Sequence, residues 1–226
     1  EMTSSLVGSE MCIRDSLIIV LPTYNNTSEN DSSDYSLAIQ LTNQFHNELV
    51  NDLIPAVESK YSTYAKDTTP QGLKESRDHR GFGGFSMGSV NTWNTFRYCL
   101  DYFRYFMPMS GSYTTDGEYM ADLVRQQGYS SQDFFIFAAS GTDDFAYSAF
   151  KAQIMAMANN SGGMFKLAKN ESEGNMSFLE REGYKHDAKA TDEYTYNGLR
   201  FFWNGQTDTQ LSVIHISEPT RLDVIS

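Results

Sequence analysis

Between Leu17 and Leu211, short apolar runs alternate with longer stretches of helical periodicity, and this alternation limits the chain to few architectures. Leu17–Leu21 (LIIVL) is a continuous β-branched run, the pattern of a strand buried on both faces. The polar residues 23–34 read as a loop. From Tyr35 to Tyr61, apolar residues recur every four positions (Leu37, Leu41, Phe45, Leu49, Leu53, Val57), which predicts a helix with a broad apolar stripe. A polar stretch, 62–78, then leads into a glycine-rich strand, Arg80–Phe85. Ser86–Leu100 reads as a helix, Tyr105–Met109 as a strand, Glu118–Gln127 as a helix and Phe134–Ala139 as a strand. Phe150–Ala158 is expected to be helical, Met176–Leu179 the last strand and Tyr194–Trp203 the last helix. Strands alternating with helices predict an α/β fold with a mainly parallel sheet.

The flanks differ from this domain. Residues 1–16 lack the layout of a signal peptide. SSLVGSEMCIRDS at the start and VIHISEPTRL near the end resemble conceptual translations of sequencing-adapter DNA. Residues 1–16 and 212–226 are therefore set apart from the domain at 17–211. This removes Cys12 and His215 and leaves Cys99 as the one cysteine, so no internal disulfide is expected. The chain carries 29 acidic residues against 17 basic ones, with no basic cluster, which argues against nucleic acid or an anionic membrane surface as partner. No apolar run has membrane-spanning length. No Cys/His cluster has zinc spacing, so no metal is expected.

Gly84-Phe85-Ser86-Met87-Gly88 matches G-x-S-x-G and lies where a predicted strand meets a predicted helix. In a nucleophile elbow of that kind the chain turns sharply at the serine, side chains flanking it would clash, and the hydroxyl is exposed above a helix start. The Met87 backbone N–H would then be one oxyanion donor. The plainer alternative is a turn in which Ser86 caps the helix. A serine hydroxyl needs a base to take its proton and a carboxylate to orient that base. In α/β-hydrolases the chain order is Ser, then Asp or Glu, then His. His46 and His79 precede the serine, so only His186 satisfies the order. The acid should follow a strand, and Phe134–Ala139 runs into Ser140-Gly141-Thr142-Asp143-Asp144. Position alone does not choose between Asp143 and Asp144. Asp116, Asp122 and Asp133 read as solvated residues.

The stretch from Val57 to Trp93, together with Cys99–Gly111, Ser140–Tyr147 and His186-Asp187, resembles the feruloyl esterases of carbohydrate esterase family 1. The resemblance covers essentially all of residues 17–205. Its acid is the last residue of a Gly-x-x-Asp loop, which selects Asp144 and implies a Ser86–His186–Asp144 triad. It also implies an α/β-hydrolase fold, no cofactor, secretion, and hydrolysis of hydroxycinnamoyl esters on plant arabinoxylan, as a possible module of a larger xylanase or cellulosomal enzyme. Tyr24, Asn25, Ser110, Tyr113, Phe145 and Tyr147 are the candidate substrate contacts. The same fold hosts acetyl-xylan esterases, other carboxylesterases and acyltransferases, and a catalytically inactive carbohydrate-binding fragment is the reading from another class. In these esterases LIIVLP is not the first strand, and a His-Gly-rich loop lends a second oxyanion N–H. The expectation is therefore of a partial domain, weakly active or inactive, with an exposed apolar edge.

Overall fold

A computed structural model describes residues 17–202; Cys12, Trp203, His215 and both adapter-like segments lie outside them. Four strands, β1 (Gly81–Phe85), β2 (Tyr105–Met109), β3 (Phe135–Gly141) and β4 (Met176–Arg181), form one sheet in the order 1-2-3-4. All three pairings are parallel. Parallel neighbours need crossovers, and helices supply them: α4 (Met87–Tyr98), α5 (Gly117–Gln126) and α6 (Tyr147–Asn159). Before β1 come α1 (Tyr35–Glu48), α2 (Ile54–Lys60) and α3 (Pro70–Glu75); after β4 comes α7 (Ala188–Leu199).

The central strands are buried on both faces, as parallel strands between helical layers must be. Phe106, Ile136 and Ala138 point into a large cluster with Trp93 and Phe96 of α4, Val124 of α5 and Ile154 of α6. Their neighbours Tyr105, Met107, Phe135 and Phe137 point the other way, into a smaller cluster with Ala190 and Tyr194 of α7 and with Phe202. Phe96 sits at the middle of the large cluster, meeting Phe106 and Phe134 edge to face at centroid distances of 5.1 and 5.2 Å. Cys99 is a buried free thiol, pushed up to about 12 by its burial.

Two expectations are corrected. Leu17–Leu21 forms no strand and is exposed, Leu21 at 91%. An apolar run states what a segment would bury; a strand also needs a ladder partner, and β1 pairs only with β2 among the described residues. The last helix starts at Ala188 rather than Tyr194 because the Asp187 carboxylate caps it, accepting from the Ala190 amide. Its buried positions are Ala190, Tyr194 and Gly198, two of them too small to register as an apolar stripe.

Two refinements concern the N-terminal part. The helix expected over 35–61 is interrupted by one π turn, Leu49–Leu53, in which the Ile54 amide bonds the Leu49 carbonyl. Pro55 follows and has no amide to donate, so the extra residue absorbs the mismatch that a proline imposes on an α-helix. The polar stretch 62–78 contains α3, started by Thr69 as cap and Pro70 as first residue.

Arg80, at the entrance to β1, ties these pieces together. Its Nε meets Glu58 Oε1 at 2.6 Å, and its Nη1 donates to the carbonyls of Leu73 and Tyr102 at 2.7 and 3.0 Å. Both charged side chains are about nine-tenths buried. Removing one member of such a pair leaves the other charge unpaired in the interior. Arg80→Met is thus expected to cost about 3–5 kcal/mol in urea unfolding, and the double variant Glu58→Met/Arg80→Met to recover most of that loss. Additive losses would show that the pair does not behave as a unit.

Candidate active site

Each of the four strands delivers one segment to the same edge of the sheet, the C-terminal one, where open α/β sheets place their sites. Ser86 follows β1, Ser110 follows β2, the loop to Asp144 follows β3, and the loop to His186 follows β4.

Ser86 has φ 58° and ψ −115°, a backbone conformation that L-residues avoid. It starts α4 without a side-chain capping bond, so the hydroxyl is not spent on the helix, against the plain capping alternative. Its amide is held by the Met109 carbonyl at 2.9 Å. Met87, the first helical residue, offers one of the amides that a helix start leaves without an intrahelical acceptor. The turn is tight because Gly84 allows it. A Cβ there would overlap the backbone of Gly88, whereas a Cβ on Gly88 would meet nothing within 4 Å. Only the first glycine of the motif therefore has a steric reason; the expectation of one at both positions is corrected to that extent. Gly111 closes the turn from the other side, since a Cβ there would run into the Ser86 carbonyl.

The carboxylate that meets the histidine is that of Asp144: both its oxygens lie against His186 Nδ1, at 2.9 and 2.8 Å. Asp143, one residue earlier, is exposed. The Asp144 side chain has no exposure, and the Ala146 amide donates to it at 2.8 Å. With Nδ1–H donating to the carboxylate, Nε2 carries the free lone pair. Two aromatic rings, Phe85 and Phe145, stand tilted against the imidazole, each with its centroid 4.3 Å away. Ser86 Oγ makes no hydrogen bond among the described residues; serine–histidine contacts of this kind are commonly long without substrate.

Two loops are zipped to hold this pair. The amides of Thr142 and Asp143 donate to the carbonyls of Arg181 and Tyr184 at 3.0 and 3.1 Å. The Gly183 amide returns a bond to Thr142 Oγ1 at 2.9 Å. Gly141 permits the approach, because a Cβ there would overlap the Tyr184 carbonyl. Tyr194 lies beneath; its phenol is pushed up to about 12 by burial and then by the charge of Asp144.

The other candidates separate clearly. Phe145 is 82% exposed and lies over the imidazole, at the open side of the site. Tyr147 bonds Glu180, which also takes Lys151 Nζ at 2.7 Å. Ser110 is buried, with φ 51°, and its hydroxyl pairs with that of Ser140 at 3.0 Å, so it shapes the loop and does not face solvent. Tyr113 stacks on Tyr119 and lies beneath the Arg97 guanidinium. Tyr24 packs against the large core cluster, and Asn25 Nδ2 bonds the Glu29 carbonyl at 3.2 Å. No contact joins Tyr24, Asn25 or Tyr113 to the His186–Asp144 pair. His46 bonds the Asn43 carbonyl and stacks on Tyr98; His79 stacks on Tyr64. Asp116 caps α5, Asp122 pairs with Arg125, and Asp133 holds the Ser130 amide. The reading of residues missed Phe85, Lys151 and Glu180. Phe85 stood inside the motif, but nothing in its identity marks it as facing an imidazole.

No family model matches the chain. Over 197 residues, 83% of its length, it is 40% identical to endo-1,4-beta-xylanase Y of Acetivibrio thermocellus, of which it spans 17%. A feruloyl esterase module from Clostridium thermocellum, solved as a complex with sinapinate, aligns at 41% identity and a TM-score of 0.68, over 72% of this chain and 59% of that one. A CE1 ferulic acid esterase from the anaerobic fungus Anaeromyces mucronatus shares the fold, with a TM-score of 0.54 at 18% identity, over 81% of this chain and 60% of that one. The fold is that of the α/β-hydrolase esterases. The chain spans less than two thirds of each of these relatives.

Two measurements test this geometry. Gly84→Ala should lower the unfolding free energy by about 1–3 kcal/mol, through the collision with Gly88. Gly88→Ala should be neutral or raise it by up to about 1 kcal/mol, since alanine favours the helix. Equal losses would contradict the packing described. Separately, hydrogen bonds from Lys151 and then Tyr147 hold the Glu180 carboxyl below its ordinary range. A carboxyl depressed on folding stabilises the fold above its unfolded value, and that contribution disappears as pH falls through the folded value. Lys151→Met should therefore lower the denaturation midpoint at about pH 7, and the deficit should be smaller at about pH 3, below the ordinary carboxylate value. An equal deficit at both would contradict the pairing.

Proposed function

We propose that this chain is a feruloyl esterase of carbohydrate esterase family 1 and hydrolyses hydroxycinnamoyl esters carried by plant arabinoxylan. The observation that carries the proposal is the His186–Asp144 hydrogen bond, formed between two loops at the edge where the strained Ser86 also stands. Ser86 Oγ attacks the ester carbonyl while His186 Nε2 takes its proton. The Met87 N–H donates to the oxygen that becomes negative. Asp144 holds the imidazole in the tautomer that leaves Nε2 basic and stabilises the imidazolium that follows. His186 returns the proton to the sugar oxygen, which leaves, and the feruloyl group stays on Ser86. A water then gives a proton to His186, attacks the acyl carbon and releases the acid and the free serine.

The substrate assignment rests on kinship with proteins described as feruloyl esterases, one of them complexed with sinapinate. In this reading the exposed Phe145 and its neighbour Tyr147 border the acyl ring, and Tyr24, Asn25 and Tyr113 are more distant contacts. The likeness to a segment of a xylanase supports secretion and a working place on xylan, beside other catalytic modules. No cofactor enters the reaction.

Labelling with a fluorophosphonate tests the nucleophile without requiring a cognate substrate. Ser86 should carry the adduct, Ser86→Ala should carry none, and His186→Ala should label far more slowly. Asp144→Asn should lower turnover of a feruloyl ester by roughly 10⁴-fold, through loss of the tautomer control. Absence of label on Ser86 in the folded chain, or full activity in Asp144→Asn, would overturn the assignment.

A further inference from the structure

One carboxylate outside the triad grips the two residues whose carbonyls hold the amides of the acid loop. Glu193 lies on α7, and its side chain is 21% exposed. Its Oε2 accepts from the Tyr184 hydroxyl. Its Oε1 lies against Arg181 Nη2 as an ion pair without a well-formed hydrogen bond. Arg181 and Tyr184 are the residues whose carbonyls receive the Thr142 and Asp143 amides. Arg181 also closes its own loop, its carbonyl accepting from the Tyr184 amide at 3.3 Å. The Arg181 guanidinium and Lys189 Nζ both stand 5.4 Å from the Tyr184 ring, so positive charge surrounds the phenol that Glu193 holds. Two residues after Tyr184 comes His186, and then Asp187, the cap of the same helix.

We propose that Glu193 is a positioning residue for the reaction: it anchors the Arg181–Tyr184 segment to α7 and so fixes the imidazole against Asp144. The argument is one of leverage. The two-oxygen contact of His186 with Asp144 tolerates little displacement, and α7 is the rigid element from which the loop departs. Without the carboxylate, Arg181 and Tyr184 keep their backbone bonds and the Tyr184 ring keeps Lys189 and Tyr194 of α7 beside it, but the polar anchor of the segment to the helix is lost. A shift of about 1 Å in a catalytic group can cost on the order of 10²-fold in rate. Glu193 touches no reacting atom, and its effect would pass entirely through His186. The inference rests on the esterase reading for its kinetic arm, and its spectroscopic arm does not.

The experiment compares the parent chain with Glu193→Ala, Glu193→Gln, Tyr184→Phe and Asp144→Asn. Steady-state hydrolysis of methyl ferulate gives kcat and KM. Proton NMR in water gives the low-field Nδ1–H signal of a histidine bonded to a carboxylate, identified by its loss in Asp144→Asn. Glu193→Ala should lower kcat about tenfold or more with KM nearly unchanged, and should shift or broaden the low-field signal. Glu193→Gln keeps an acceptor for Tyr184 and should recover most of the rate. Tyr184→Phe removes one hydroxyl, leaves the fold intact if Glu193→Ala does not fold, and should give a smaller loss of the same kind. A parental kcat and an unmoved low-field signal in folded Glu193→Ala, or in Tyr184→Phe where that variant stands in, would overturn the proposal. A parent chain that shows the low-field signal, perturbed by Glu193→Ala, yet takes no fluorophosphonate on Ser86 would uphold the positioning role and sink the esterase reading instead.

Discussion

The bond between His186 Nδ1 and the Asp144 carboxylate is the constraint around which the rest of this edge is organised. A carboxylate with no exposed side-chain surface is expensive to bury unless its charge is met by donors. Asp144 has two, the imidazole N–H and the Ala146 amide. One of them arrives on a different loop, 42 residues later in the chain. The carboxylate can therefore be stable only if that loop is held in place by something other than the bond itself. The amide–carbonyl bonds between 142–143 and 181–184, and the absence of a side chain at Gly141, meet this requirement with backbone groups, which side-chain motion does not disturb.

The serine side is built on the opposite logic. Ser86 is held in a conformation that costs of order 1–3 kcal/mol, and the structure around it must over-determine that geometry. It does so from three directions. The Met109 carbonyl fixes the Ser86 amide, Gly84 lets the strand lie against the first turn of α4, and Gly111 lies against the Ser86 carbonyl. Gly111 is itself anchored, because its carbonyl receives Trp93 Nε1 at 3.0 Å and Ser89 Oγ at 2.7 Å. Trp93 is fully buried in the large core cluster. The backbone strain at Ser86 is thus balanced by burial several residues away, which is how a packed interior can hold a half-buried residue in an unfavourable conformation.

Much of this was legible in the sequence where a single physical requirement writes a strong pattern. Strands buried on both faces leave uninterrupted apolar runs, and β2 and β3 were read nearly to the residue. The elbow was legible because strand, glycine, serine and helix must follow in order. Chain order singled out His186, and in the structure it is the histidine that bonds Asp144. Leu17–Leu21 was misread because apolar composition carries no information about a partner strand. The start of α7 was misread because Ala190 and Gly198 are buried without being conspicuously apolar. The choice between Asp143 and Asp144 came from resemblance; in the structure it is decided by the turn, in which the Asp144 amide bonds the Gly141 carbonyl and the neighbouring residue is left in solvent. Contacts such as Phe85 on His186, or Glu180 with Lys151, join elements far apart in the chain and leave no local trace.

The two rings beside His186 illustrate how such unread contacts shape chemistry. Phe85 ends β1 beside Ser86 and Phe145 follows Asp144, so rings from two separate segments reach the imidazole. The rings stand tilted at 38° and 39° to the imidazole, and its polar contacts fall along its nitrogen-bearing edge. One end of that edge is taken by Asp144. In the proposed reaction the other end, Nε2, would serve the serine hydroxyl, the leaving oxygen and the attacking water in turn. Phe85 is half-buried and packed against the smaller core cluster, whereas Phe145 is 82% exposed, so of the two only Phe145 offers its ring to solvent. An aromatic acyl group arriving at this edge would meet the exposed ring first, and covering it would exclude water from the imidazole at the moment the proton moves.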